Sequence, residues 1–352
     1  MIPTASTNIG MFLKCNESHY LATREGGNGI DSVFQNEHLI FGTAMHDPIE
    51  ALMLGEKDIK KLVDKLKSDL KILVEASLDG TPRSTEYYWL GTGLLLAFAE
   101  FKLPKMLRIY DVKAVEKELT IDLGGGITWC TRPDVILERR KDHRQFNNNV
   151  KTSSYTRDIG IIFEFSVQML MEALAVSREL GIDTGGTVIT SLNKGRKGYA
   201  TASDKARGFT EGTRIDSPFT YVWYDEGGKA LLPKWKSRAV KVGAWELCET
   251  PFEWYEWFKK TFGPEALEQE VDFTEPLIHN TRMDVDSVVR DIIQIETSGS
   301  RIKNYDACNN YGGYGKPCKY KQWCWGTAQE RASLYVPRNP NHPLEELPLD
   351  DF

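Results

Sequence analysis

Apolar residues recur at helical spacing through the first third of the chain. Ile9, Phe12, Leu13 and Tyr20 give a partial apolar face to a predicted helix over 6–22, with Ser6 or Thr7 able to cap its start. Gly26, Gly27 and Gly29 break that pattern, and helical spacing resumes near 42–54. Ile59, Leu62, Leu66, Leu70 and Leu73 then mark one face of a helix over 56–76, followed by another over about 84–101. From Met106 the texture changes. Residues 107–121 partly alternate, Gly124 to Gly126 read as a hairpin turn, and 127–140 reads as one further strand. A polar, basic stretch (141–149) leads into 150–156. A clear helix over 164–180 stops at Gly181, and 187–192 is a buried strand. Strands are predicted at 217–224 and 229–235, and helices near 251–262 and 282–296.

This order predicts an α/β core with helical flanks. The expected organisation is an N-terminal helical region at 1–105, a core at 106–250, C-terminal helices with a cysteine segment at 251–335, and an extended tail at 336–352. The tail has prolines and acidic pairs in place of periodicity.

Length and composition add bounds. A chain of 352 residues with 41% hydrophobic and 27% charged residues is globular, not disordered or collagen-like. A formal net charge of -6 excludes a wholly basic nucleic-acid packager but leaves room for a local basic groove. The longest apolar run, Trp89 to Ala99, is too short to span a bilayer, and the first residues lack a leader pattern. The expectation is a cytoplasmic protein, in a bacterial or phage-infected cell, with no membrane partner.

Candidate chemistry lies first in Arg132-Pro133-Asp134 and in Lys151, seventeen residues after Asp134. An acid near a strand end and a lysine on the next strand suit phosphodiester hydrolysis, in which carboxylates hold Mg²⁺ or Mn²⁺ and lysine steadies the nucleophile. Each residue alone is also what a turn Asp or surface Lys would look like; order supplies the specificity. Gly42-Thr43-Ala44-Met45-His46 comes first, then Pro133-Asp134, then Lys151-Thr152-Ser153, then a helix carrying Gln168. In this order the chain resembles the RecB-like branch of the PD-(D/E)xK nuclease superfamily, over most of its length, from Phe12 to Gly326. The resemblance implies a restriction-endonuclease-like core. It implies a metal site of His46, Asp134 and the residue at 149, with Lys151 as catalytic lysine and Gln168 at the active-site edge near DNA.

Two positions depart from the pattern. Asn149 stands where the family has an acid, and Glu172 stands where it has a tyrosine. Asn offers a neutral carbonyl oxygen in place of a charged carboxylate. Three explanations stay open: a weak or inactive nuclease that still binds DNA, a ligand from another acid such as Glu138, Glu164 or Glu172, or an aspartate exchanged for its near-isostere.

Six cysteines divide unevenly. Cys308, Cys318 and Cys324 cluster, and Cys15, Cys130 and Cys248 stand apart. Three clustered thiols are one short of a four-ligand set, and Cys15 is the best fourth. The segment from Phe12 to Tyr20 resembles the N-terminal part of RecB-family nucleases with an iron–sulfur clasp, such as AddB-type and CRISPR-associated relatives, with Asn16 in place of the common Pro. That resemblance implies a [4Fe-4S] cluster on Cys15, Cys308, Cys318 and Cys324, tying the chain ends together. Zinc, with His19 or another ligand, or free thiols are the other readings. Cys130 and Cys248 are expected in the core.

Basic residues concentrate in two segments: Arg139, Arg140, Lys141, His143 and Arg144, and Lys194, Arg196, Lys197, Lys205 and Arg207. Such runs are commonly solvated faces; here both are expected to flank the metal site and contact DNA phosphates, with Tyr199 and Phe209 available to stack on bases. The chain has no GxxxxGK[ST], GxSxG or HExxH motif. The expected function is therefore a Mg²⁺- or Mn²⁺-dependent DNA nuclease, most simply an exonuclease of recombination, repair or phage DNA metabolism, with any helicase a separate partner. The alternative is a catalytically inactive DNA-binding adaptor on the same fold.

Overall fold

The computed structural model describes residues 2–4, 11–26, 29–32, 37–71, 83–124, 127–153, 166–181, 184–193, 197–199, 213–215, 223–224, 230–231, 250–262, 264–268 and 271–273, and from 290 to 338 all but 292, 296–297, 300, 302 and 311–317. The sequence expectations for Glu164, Lys194, Arg196, Lys205, Arg207, Phe209, Cys248 and the tail from 339 lie outside the described residues, as do most of 217–235 and 282–296.

The architecture is mixed α/β. The helices that frame the sheet are α1 (Asn16–Thr23), α2 (Glu37–Met53), α3 (Ile59–Asp69), α4 (Arg83–Ala97), α5 (Leu103–Ile109), α6 (Val167–Leu180) and α7 (Pro251–Phe262), and shorter helices follow at Pro264–Glu268, Tyr305–Asn310, Lys321–Trp325 and Ala328–Leu334. A wider turn, Phe98–Lys102, joins α4 to α5. The strands that matter most are β1 (Ile2–Thr4), β2 (Ile30–Ser32), β3 (Tyr110–Val115), β4 (Leu119–Gly124), β5 (Ile127–Thr131), β6 (Val135–Arg139), β7 (Gln145–Ser153) and β8 (Thr184–Asn193). Short pairs follow at Lys197–Tyr199 with Thr213–Ile215, and at Trp223–Tyr224 with Ala230–Leu231.

The central sheet has five strands. From one edge it runs Val271–Phe273, β8, β7, β6, β3. The β7–β8 pair is parallel and the other three are antiparallel. Parallel neighbours need a crossover, and α6 supplies it. Gly181 ends α6 in the left-handed region at φ 63°, as the position after a helix favours.

Alternation along β7 sorts its side chains. Phe146 and Val150 join Val135, Leu137, Val188 and Leu192 in the large core with α2, α3, α4 and Trp254 of α7. The opposite face of the sheet meets α6, where Ile136 packs with Met171, Ala175 and Val176. Asn147 and Asn149 share that face by period two.

Two expectations need correction here. The strand predicted over 127–140 is two strands: β5 pairs with β1 and β4 in a separate sheet, and β6 belongs to the central one. Pro133 lies at the break, where its missing N–H cannot serve a ladder. Cys130 is buried on β5, away from the strand that follows Asp134. The polar stretch before Val150 is in turn the first half of β7, and Asn147, Asn148 and Asn149 are wholly buried. The run lies in a core strand because the Asn147 and Asn149 amides donate to Glu172 and the Asn148 carbonyl accepts from Thr190; the Asn148 Nδ2 has no hydrogen-bond partner among the described residues.

The two ends of the chain meet. Tyr335–Pro337 pairs antiparallel with β2, and Leu21, Ala22, Ile30, Cys318, Tyr320 and Tyr335 form a third apolar cluster. Tyr320 Oη donates to the carbonyl of Ile30 at 3.0 Å, and Arg338 donates to that of Ala22 at 2.9 Å. Gly29, at φ 86°, passes so close to Ala22 that a Cβ would stand 2.2 Å from its carbonyl oxygen. No described helix is long and apolar enough to cross a membrane.

Phe146 ties the sheet to the helical core: its ring lies edge-on to Tyr110 at 5.6 Å and fills the space over Gly185. Phe146→Ala is expected to lower stability by about 3–5 kcal/mol, read as a shift in the urea unfolding midpoint. A shift corresponding to under about 1 kcal/mol would mean that this contact does not hold the layers together.

Candidate metal centre

Three segments bring one ligand group each to the same end of the central sheet. His46 comes from the middle of α2. Glu116 follows β3 directly, and Asp134 precedes β6. Because β3 and β6 are antiparallel, with Val115 opposite Val135, the residue leaving one and the residue entering the other are neighbours. The Glu116 N–H donates to the Asp134 carbonyl at 3.0 Å.

Glu116 adopts a positive φ of 46°. That region is uncommon for a residue with a Cβ and is retained where surrounding structure fixes it. Asp134 is held as firmly. Its Oδ2 accepts from the buried Val150 N–H at 2.7 Å, leaving Oδ1 3.6 Å from His46 Nδ1. One ligand atom from each of His46, Glu116 and Asp134 lies within 4.8 Å of the others. An imidazole nitrogen and two carboxylates suit a divalent cation.

The electrostatics suit a cation among these side chains. Burial, the largest cause, and the nearby Glu116 and Asp134 push the Glu50 carboxyl up to about 8. Burial and Asp134 also raise Glu116, against the lowering pull of Arg132, whose guanidinium pairs with it at 2.5 Å. Like charges gathered in a poorly hydrated place favour a bound cation or a proton.

Beside this group lies a second one. Glu172, on α6, is buried, and three side-chain amides converge on its carboxylate. Asn147 Nδ2 donates to Oε2 at 3.1 Å, Asn149 Nδ2 to Oε2 at 2.7 Å, and Gln168 Nε2 to Oε1 at 2.9 Å. Burial raises the Glu172 carboxyl, while Asn149 and Gln168 oppose that shift. Thr187 and Thr190 on β8 donate to the Asn147 and Asn148 carbonyl oxygens at 2.7 and 2.8 Å. Asn149 and Gln168, named from the sequence, therefore do lie together, with the amides of both turned to Glu172.

Lys151 follows Asn149 by two residues on β7, so it lies on the same face and is an electrostatic neighbour of Glu172. Of the other acids considered from the sequence, Glu138 is engaged with Lys113 at 3.1 Å and His143 at 3.2 Å. Glu116 was missed. In the sequence it is only an acid at the end of an alternating stretch; the β3–β6 pairing is what sets it beside Asp134.

The basic segments separate. Asp134 and Arg139 lie at opposite ends of β6, about 17 Å apart at the usual strand rise. Arg139, Arg140 and Lys141 accordingly sit at the end of the sheet remote from the metal group. Arg139 pairs with Asp142 and Arg140 with Asp111. The end of β8 instead runs beside Lys151 and Ser153, so the chain leaving β8 toward Lys197 starts at the site's end.

The clustered cysteines approach Cys15. The Cys318 N–H donates to the Cys308 carbonyl at 3.0 Å, and Asn304 N–H donates to the Cys15 sulfur at 3.4 Å. Burial raises the Cys318 thiol, with Cys15 and Cys308 among its electrostatic neighbours. Burial pushes Cys324 up to about 11, with Cys318 and Cys15 adding to the rise. His19 is buried against Phe12 and held down to about 4, mainly by burial.

Comparison with known proteins finds no family model and no curated protein that matches the chain.

Replacing Glu172 by Gln puts an amide among three amide donors. Glu172→Gln is expected to cost about 1–3 kcal/mol, measured by denaturant unfolding. A neutral result would show that the convergence on Glu172 adds nothing to stability.

Proposed function

We propose that the chain is a divalent-metal-dependent DNA nuclease with a PD-(D/E)xK-type core. The convergence of His46, Glu116 and Asp134 at one end of a mixed sheet, with Lys151 on the adjacent strand, carries this reading. A bound Mg²⁺ or Mn²⁺ supplies the charge that polarises a phosphate oxygen and makes water a nucleophile near neutral pH. His46, Glu116 and Asp134 would hold it. Asp134 is fixed for that task by the Val150 N–H. Lys151 presents a positive charge to the phosphate and the attacking oxygen. Lys197, and Lys194 and Arg196 before it in sequence, are the basic residues assigned to the DNA backbone. Arg139, Arg140 and Lys141 lie too far from the metal group to contact the same phosphate.

The Asn149–Glu172 pair explains the departures at those two positions together. Strand and helix have one carboxylate between them, on the helix, and a 2.7 Å hydrogen bond joins the pair. Asn149→Asp alone would set two carboxylates against each other in a buried site. The informative exchange is therefore double, Asn149→Asp with Glu172→Gln.

Cys318 is an electrostatic neighbour of Cys15 and Cys308, and Cys324 of Cys318 and Cys15; the resemblance of the Phe12 to Tyr20 segment to nucleases with an iron–sulfur clasp favours a cluster over zinc. A [4Fe-4S] cluster on Cys15, Cys308, Cys318 and Cys324 would add to the contacts that already join the two ends. Recombination, repair or phage DNA metabolism, with a separate helicase or recombination protein, is the setting proposed.

The test is cleavage of linear and circular DNA with Mn²⁺. The unaltered chain should degrade linear DNA, and Asp134→Asn or Glu116→Gln should slow it about 100-fold or more, as loss of several kcal/mol of metal-borne stabilisation implies. DNA binding without cleavage, in both this chain and the Asn149→Asp/Glu172→Gln variant, would leave a DNA-binding adaptor in place of the enzyme.

For the clasp, anaerobically purified protein should absorb near roughly 400 nm, from thiolate-to-iron charge transfer. Cys318→Ser should remove the band. Zinc would give none.

A further inference from the structure

The carboxylate of Glu50 has no part in the ligand group described above. It lies one helical turn beyond His46 on α2 and is 7% exposed. Its Oε1 is fully buried, and no hydrogen-bond donor reaches it. That oxygen stands 3.8 Å from His46 Nδ1, the same nitrogen that faces Asp134 Oδ1 at 3.6 Å. Glu50 therefore looks onto the ligating side of the imidazole, not its back. Its other neighbour is the Glu116 carboxyl, within hydrogen-bonding reach.

A desolvated carboxylate oxygen without a donor is costly, and structures keep one only where something else satisfies it. The nearby basic side chains are engaged: Arg132 pairs with Glu116, and Lys65 bonds to Asp47. Ligand atoms around an octahedral ion at about 2.1 Å stand about 3.0–4.2 Å apart. The separations of 3.6 and 3.8 Å at His46 Nδ1 fall in that interval. Glu50 is not one of the three residues whose ligand atoms all lie within 4.8 Å. Its place is thus one step out, where a Mg²⁺ or Mn²⁺ ion keeps part of its water shell.

We propose that Glu50 is a further carboxylate of the cation site. It accepts hydrogen bonds from the ion's water shell and supplies the negative charge that Asn149 does not bring. This inference rests on the cation-site reading under Proposed function. Glu50 acts here as a positioning residue, because it holds the ion through water.

The experiment is calorimetric titration of the full chain with Mn²⁺, alongside thermal unfolding with and without Mn²⁺, for the unaltered protein, Glu50→Gln and Glu116→Gln. Glu50→Gln should weaken Mn²⁺ binding about 10–100-fold, the usual effect of losing an outer partner of a metal site. It should also shrink the rise in unfolding midpoint that Mn²⁺ produces. Unchanged Mn²⁺ affinity in Glu50→Gln, with loss in Glu116→Gln, overturns this proposal and leaves the cation site standing. A lower metal-free midpoint with the Mn²⁺ gain intact assigns Glu50 a structural role and also overturns it. Failure of the unaltered protein to bind Mn²⁺ removes the cation site itself. Should Glu50→Gln not fold, Glu50→Asp withdraws the same charge by one methylene, and the same weakening is expected.

Discussion

The buried carboxylate of Glu172 is the interaction on which the site end of the sheet depends. It accepts from Asn147, Asn149 and Gln168, and so fixes α6 against β7 through polar contacts in a place without water. A buried anion is tolerated only with such donors. The donors are in turn committed to it, which decides where the side chains of β7 point. Asn149 faces helix α6, and the next residue on that face, Lys151, comes forward toward the sheet's end.

The grouping of His46, Glu116 and Asp134, the candidate cation ligands, is a consequence of strand pairing. Val150 follows Asn149, and its N–H fixes Asp134 Oδ2. The antiparallel β3–β6 pair delivers Glu116 to the same point. Helix α2, packed against the sheet through the large core, brings His46. No loop carries a ligand over a long distance. Each of the three stands on an element or within a residue of one, and rigid elements place ligands more accurately than mobile loops do.

The closure of the chain's ends is a separate device. Strand β2 with Tyr335–Pro337, the Tyr320 hydroxyl on Ile30 and the Arg338 guanidinium on Ala22 already join residues about 300 positions apart. Closing so long a loop is entropically expensive. A metal–thiolate group at Cys15, Cys308, Cys318 and Cys324 would act on ends that the protein contacts have aligned.

Sequence periodicity determined the helices α3, α4, α6 and α7, the stop at Gly181 and the buried strand β8, because amphipathic spacing and a left-handed glycine are local signals. Motif order singled out His46, Asp134, Lys151 and Gln168, since residue types at ordered positions survive without coordinates. The tertiary structure decided what depends on pairing between distant segments. It divided 127–140 at Pro133, placed three asparagines inside a central strand, and moved Arg139 to Lys141 to the far end of β6. It also added Glu116 and Glu50, whose carboxylates look like ordinary surface acids in a linear reading. Burial and like-charge proximity are properties of neighbours in space, and an amide run is polar in sequence until its partners are folded against it.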